Sequence, residues 1–182
     1  VYDMFDRQKH IIDKLPELSP KGAYVACDFG TQNATVFLLF QMQSDTGTWI
    51  ETREYYYSGR EQKRQKTVGE YVADLKRWLN GTKPEKVIVD PSALPLITEL
   101  KQNGLPIQAA NNDVLSGILD VQTMLQTGRL KIYRECKRTI QEFGVYAWDP
   151  DREDVVIKEN DHCMDSIRYF VRTKRLVKRA GG

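Results

Sequence analysis

The sequence predicts a mixed α/β domain, in which an antiparallel meander and parallel strands share one sheet with helices on both faces. Three observations lead there. The chain has 182 residues, 41% of them apolar and 29% charged, the size and composition of one globular domain with its own core. Its first third carries three successive strand-like runs with short links. From residue 68 onward the hydrophobic period switches repeatedly between helix and strand, which a sheet covered on both faces accommodates.

The elements follow in order. Residues 23–28 form a short strand, 33–43 a second and 48–57 a third, rich in Thr, Ile and Tyr. Asp45-Thr46-Gly47 between the last two is a tight hairpin signal. Over 68–79, Val68, Tyr71, Val72, Leu75, Trp78 and Leu79 recur at helical spacing. Residues 86–90 (Lys-Val-Ile-Val-Asp) are β-branched and apolar, as in a strand buried on both faces. Pro91 and Ser92 open a helix that runs to about 102 and stops at Asn103-Gly104. Residues 106–110 form a strand, 114–125 a helix ending near Gly128, 130–133 a brief strand and 134–143 a helix. Residues 145–148 and 154–158 read as a hairpin around Pro150-Asp151-Arg152. The last helix spans 161–173 with Asn160 as its N-cap. Residues 1–21 mix four acids with four bases, break at Pro16 and Pro20, and show no period. They read as a linker or N-terminal arm, and with Val1 in first place the chain reads as a piece of something longer.

Composition excludes a disordered tail, a coiled coil and a collagen-like fibre. No apolar run approaches the ~20 residues that span a bilayer, and no signal peptide is visible. Cys27, Cys136 and Cys163 are odd in number and far apart, which fits a reducing cytoplasm better than a disulfide framework or a structural zinc site. Net charge is only +2, but it is segregated. Residues 59–66 hold a basic cluster with Lys63, Arg64 and Lys66. From Ser166 onward there are six bases, Arg168 and Arg172 among them, and no acid. Residues 149–165 hold seven acids against two bases. Such clusters suit a phosphate backbone, and equally a solvated helix face with a basic tail.

Acids recur at the ends of elements. Asp28 ends the first strand, Asp90 ends the strand after the first long helix, and Asp165 lies in the first turns of the last helix. Ends of adjacent strands converge on one sheet edge. Carboxylates gathered there repel one another, and a divalent cation such as Mg²⁺ resolves the repulsion. Two ions about 4 Å apart can activate a water and stabilise the leaving oxygen of a phosphodiester. Plainer roles stand beside these: a strand-end turn for Asp28, a turn starter for Asp90, a helix-start charge for Asp161. Asp165 points away from the face formed by Cys163, Ile167, Phe170 and Val171, toward a polar groove or plain solvent. His162, three residues before Asp165, is near enough to share its face.

Asp28-Phe29-Gly30-Thr31 superficially resembles signatures of protein kinases and of actin-like or sugar-kinase ATPases. A kinase's Gly-rich loop and His-Arg-Asp loop are missing, as is a P-loop, and the chain is too short for the two ATPase lobes. A second resemblance covers residues 22–173, carried by six motifs in order. They are Cys27-Asp28-Phe29-Gly30, Val87-Ile88-Val89-Asp90-Pro91-Ser92, Val114-Leu115-Ser116-Gly117-Ile118, Gly128-Arg129-Leu130-Lys131-Ile132, Tyr146-Ala147-Trp148, and the stretch from Lys158 through Asn160-Asp161-His162 and Asp165 to Arg168-Tyr169. Together they resemble the C-terminal nuclease domain of the terminase large subunit of tailed bacteriophages, of the headful-packaging kind found in phages of Bacillus.

That resemblance implies a ribonuclease H-like fold, with a central five-stranded sheet, over 22–175, preceded by the arm and followed by a flexible basic tail at 176–182. It implies a metal-dependent DNA endonuclease that cuts concatemeric viral DNA during packaging into procapsids, leaving 3′-hydroxyl and 5′-phosphate ends. Asp28, Asp90, Asp165 and His162 then form the catalytic and metal-binding set for Mg²⁺ or Mn²⁺, two ions in all, although the family often has Glu in place of Asp90. Lys158 contacts a phosphate, and Lys63, Arg64, Lys66, Arg168 and Arg172 bind double-stranded DNA with little sequence preference. The implied partners are an ATPase domain of the same subunit, the small terminase subunit and the portal or procapsid, in the host cytoplasm and with no membrane. The 146–158 hairpin would gate DNA access. Two other readings fit the same residues: a non-catalytic DNA-docking module, and a resolvase- or transposase-like enzyme on the same fold.

Overall fold

The computed structural model describes residues 1–30 and 33–178. In chain order the elements are α1 (Arg7–His10), β1 (Ile11–Ile12), β2 (Tyr24–Asp28), β3 (Ala34–Met42), β4 (Trp49–Ser58), α2 (Gly59–Gln62), α3 (Val68–Leu79), β5 (Lys86–Val89), α4 (Leu94–Gln102), β6 (Ile107–Ala109), α5 (Val114–Gln126), β7 (Leu130–Tyr133), α6 (Lys137–Val145) and α7 (His162–Thr173). Among the described residues no helix is long and apolar enough to cross a membrane.

The strands form one mixed sheet in the order β1-β7-β4-β3-β2-β5-β6. β2, β3 and β4 are the antiparallel meander; β5 and β6 extend it in parallel beside β2, and β7 and β1 in parallel beside β4. Gly47, at φ 69°, closes the predicted hairpin, with the Gln43 N–H donating to the Thr48 carbonyl. Side chains alternate along the central strands, so two cores result. Val25, Cys27, Phe37 and Leu39 meet Tyr71, Leu75, Leu96 and Leu100 under α3 and α4. Ala26, Val36, Leu38 and Phe40 meet Ile118, Val121, Ile167 and Phe170 under α5 and α7. The sheet has seven strands and not five: the short strands expected at 106–110 and 130–133 join it as β6 and β7, and two-residue β1, too short to show a period, adds an edge beside β7.

The first 21 residues lie against the domain. The Tyr2 ring stacks on Tyr146 and Phe5 on Phe143. Buried His10 donates from Nε2 to the Leu125 carbonyl at 3.0 Å while its Nδ1 accepts from the Asp6 N–H. At the other end Leu176 and Val177 pack on the core, while residues 179–182 of the expected basic tail lie outside the described residues.

Three local expectations change. Residues 145–148 and 154–158 make a single bridge, Trp148 to Val156, in place of a two-stranded ladder. The turn between them includes Pro150, and the second segment opens on a left-handed Asp154, which leaves little extended backbone to pair. The helix expected from 134 starts at Lys137, since a turn closed by the Cys136 N–H on the Tyr133 carbonyl comes first. Asn160 does not cap α7; it is left-handed at φ 52°, and Asp161 takes the cap position without a side-chain hydrogen bond.

Candidate functional site

The carboxyl ends of β2 and β5 lie side by side. Cys27 pairs in register with Val89, so the next residue on each chain, Asp28 and Asp90, leaves the sheet at one edge. Beyond Asp28 a Cβ on Gly30 would stand 2.8 Å from the Ala34 carbonyl oxygen, so only glycine fits the path the backbone takes there. Asp90 Oδ1 accepts from the Ser92 N–H at 2.8 Å, a turn that starts the link to α4. Its Oδ2 accepts from Asn112 at 3.0 Å and from the Tyr169 hydroxyl at 3.3 Å.

α7 brings the third acid. It packs on β2, β3 and β5 and between α5 and α6, so both its faces are covered. Asp165 is therefore not on solvent: its side chain is 11% exposed. Asp165 Oδ1 accepts from Arg168 at 2.5 Å and Oδ2 from Lys158 Nζ at 3.2 Å. Lys158 also lies 3.4 Å from Asp161. His162 Nδ1 is 2.7 Å from Asp28 Oδ2. Tyr169 stands one turn beyond Asp165. Burial, then the charges of Asp28, Asp165 and Asp90, suppress its ionisation.

The electrostatics follow from this crowding. Burial pushes the Asp28 carboxyl up, the His162 hydrogen bond opposes that, and the charges of Asp165 and Asp161 reinforce it. Burial and then Asp165 push Asp161 up. Burial alone would lower His162, but the bond and charge of Asp28 outweigh it and raise its proton affinity. Burial would raise Asp90, yet its bonds from Ser92, Asn112 and Tyr169 hold it below the usual carboxylate range.

Sequence reasoning missed four residues here. Glu142 of α6 supplies the cap that Asn160 does not: its Oε2 accepts from the N–H groups of Cys163 at 2.7 Å and Met164 at 3.2 Å. Tyr169 and Asn112 hold Asp90, and Arg60 lines a cleft of about 460 Å³ with Tyr56, Ser58, Glu61, Lys158 and His162. Tyr169 lay inside the last of the six motifs and carried no role; nothing local distinguished Glu142 from any helical glutamate.

The predicted DNA-binding residues divide. Lys158 lines the cleft, and Lys63 and Arg64 line a shallower groove that shares Arg60 with it. Lys66 is instead tied to Asp74 and lies over the Tyr57 ring. Arg172 pairs with Asp120 at 3.0 Å. Arg168 is a correction: its side chain is 2% exposed and bound to Asp165, so in this arrangement it reaches no phosphate. Its place three residues after a buried acid, on a helix covered all round, turns it inward.

Among the described residues no three His, Cys, Asp or Glu side chains are grouped to hold a metal ion as they stand. Their present partners are His162 for Asp28, Arg168 and Lys158 for Asp165, and Asn112 and Tyr169 for Asp90. The donor chemistry nonetheless suits a hard divalent cation: two carboxylates follow adjacent strand ends and a third lies on α7, with Asp28 raised by burial and further by the charges of Asp165 and Asp161.

No family model matches the chain. The large terminase subunit of Escherichia phage T5 is 25% identical over 152 residues, 79% of this chain and 33% of that protein. The solved large terminase of the thermophilic bacteriophage D6E is 41% identical with a TM-score of 0.90, over 94% of this chain and 44% of that one. The large-terminase nuclease domain of bacteriophage SPP1, crystallised with bound Mn, shares the fold at a TM-score of 0.67 and 15% identity, over 90% of this chain and 95% of that one. The chain thus spans about a third of the T5 relative and less than half of the D6E protein. In sequence the chain is thus similar to part of the bacteriophage large terminase subunit, and its mixed sheet shares the fold of the SPP1 large-terminase nuclease domain.

Proposed function

We propose that this domain is a divalent-metal-dependent DNA endonuclease that cuts concatemeric viral DNA during packaging. The observation that supports it best is that Asp28 and Asp90 follow the ends of two adjacent parallel strands, with Asp28 bonded to His162 of α7 beside a cleft lined by Arg60 and Lys158. The carboxylates of Asp28, Asp90 and Asp165 would hold Mg²⁺ or Mn²⁺. When bound, such ions supply an activated water and stabilise charge on the leaving oxygen.

The chain's own residues do the rest. Asp28 orients His162 through Nδ1 and so leaves Nε2 as the ring atom that can take or give a proton. Lys158, with its side chain 58% exposed, offers its ammonium to a phosphate at the cleft mouth. Arg60, Lys63 and Arg64 extend the basic track along the backbone, so cutting tolerates many sequences. In this reading double-stranded DNA is the substrate. The partners are an ATPase domain of the same subunit, the small terminase subunit and the portal, in the host cytoplasm.

Supercoiled-plasmid cleavage with Mg²⁺, Mn²⁺ or EDTA, comparing the parent with Asp28→Asn, tests it. Metal-dependent nicking that the substitution abolishes supports the nuclease; equal nicking by both proteins removes Asp28 from the site. One observation favours a second reading, a DNA-docking module: Asp165 already has two cationic partners. No divalent binding by calorimetry, with plasmid still retarded on a gel, would select that reading.

A further inference from the structure

We propose that Arg168 is a positioning residue, which fixes the Asp165 carboxylate from inside the protein, and that position 117 is glycine so that Arg168 can lie there. The proposal rests on the reading of Asp165 as a site acid.

The Arg168 side chain is among the largest fully buried ones in the molecule. One guanidinium nitrogen donates to Asp165 Oδ1, and the guanidinium also interacts with the buried Tyr146 hydroxyl and lies 5.8 Å from the centre of the Tyr169 ring. Tyr2 and Tyr146 both feel the Arg168 charge. Burying a cation costs desolvation even when it is paired, and hydrophobic residues would fill the same space more cheaply. What the arginine provides here is a fixed charge on one oxygen of Asp165. The other oxygen faces exposed Lys158, so Asp165 is held on the inner side and accessible on the outer.

The space for this arginine comes from α5. An ideal Cβ on Gly117 would stand 3.3 Å from Arg168 Cβ, tight enough that one side must give by a few tenths of an ångström. Gly117 has no turn to make, for it lies within α5, where glycine lowers helix stability relative to alanine. Close approach by Arg168 accounts for it.

The test uses Arg168→Met, Arg168→Lys and Gly117→Ala, each with a melting curve, a crystal structure and, for cleavage, kcat and KM separately. Arg168→Met should displace the Asp165 carboxylate and lower kcat or divalent affinity roughly 10- to 100-fold, with KM and duplex affinity near parental because Arg168 touches no DNA. Arg168→Lys should recover part of the loss. Gly117→Ala, which leaves every charged group in place, should lower kcat in the same direction but less.

An unmoved Asp165 carboxylate in both the methionine and alanine variants would overturn the proposal, as would loss of duplex affinity at unchanged kcat. If Arg168→Met does not fold, Gly117→Ala decides by the same measurements. A parent that neither cuts DNA nor binds divalent ions defeats the nuclease reading alone, because the position of Asp165 in the variants still decides the role of Arg168.

Discussion

Glu142 is the acid whose replacement says most about how α7 is held. It is buried on α6, and one of its oxygens accepts from the first free N–H groups of α7, those of Cys163 and Met164. Burial pushes its carboxyl up to about 7 from an ordinary 4.5, even though those two bonds pull the other way. At roughly 1.4 kcal/mol per tenfold change in proton affinity, ionising Glu142 inside the fold costs about 3 kcal/mol more than ionising it in the unfolded chain. From about pH 4.5 to about pH 7 the folded protein keeps a proton that the unfolded chain has lost, so stability falls as pH rises and the full amount is gone above pH ~7. Glu142→Gln keeps an acceptor oxygen and removes the ionisation. Urea unfolding from about pH 4 to about pH 8, parent against variant, isolates this one group. The parent should lose about 3 kcal/mol relative to the variant across that window. Parallel stability curves would refute the assignment of Glu142 as a buried cap that titrates near neutrality.

Four further outcomes are expected. Asp28→Asn should reduce metal-dependent plasmid nicking to background while the protein still melts cooperatively, since an amide can still bond to His162 Nδ1. Lys158→Ala should weaken duplex binding for every sequence and lower the slope of log affinity against log salt by about 1, read by fluorescence anisotropy. Asp74→Ala should cost about 3 kcal/mol in urea, because it strips the partner from Lys66, Arg77 and the Tyr55 hydroxyl; duplex affinity should hold, since Lys66 is occupied there and not on DNA. Shortening the turn at 150–153 should change cleavage rate or substrate choice without unfolding, as Tyr146 and Val156 anchor its base in the core; identical kinetics would remove any gating role.

Much of the site was legible because its signals are local. Asp28 and Asp90 each follow a short apolar run, and two such runs buried on both faces are readily parallel neighbours. The meander was legible for the same reason, down to Gly47 in its hairpin. What stayed hidden depends on contacts between distant segments. The two-residue β1 has no period of its own and exists because β7 offers an edge. Asp165 read as facing either a polar groove or solvent because a helical wheel assumes one covered face, whereas α7 is covered by the sheet, α5 and α6. The same assumption put Arg168 on the surface. Asn160 read as a cap because the competing acceptor, Glu142, lies on another helix.

The architecture of the site explains why these errors cluster on α7. Two acids at the ends of adjacent parallel strands come together at no cost beyond their mutual repulsion. A third must come from an element that crosses the sheet, and a helix can deliver a carboxylate to that edge only by burying it. A buried carboxylate needs a cation within reach, which Arg168 provides from the next turn. A buried arginine stem needs room against a neighbouring helix, which Gly117 provides. The helix start needs an acceptor that its own N-cap does not supply, which Glu142 provides. Arg168, Gly117 and Glu142 therefore follow from Asp165 by successive physical requirements. Substituting any of them should act on the site through the position of α7 and not through contact with DNA.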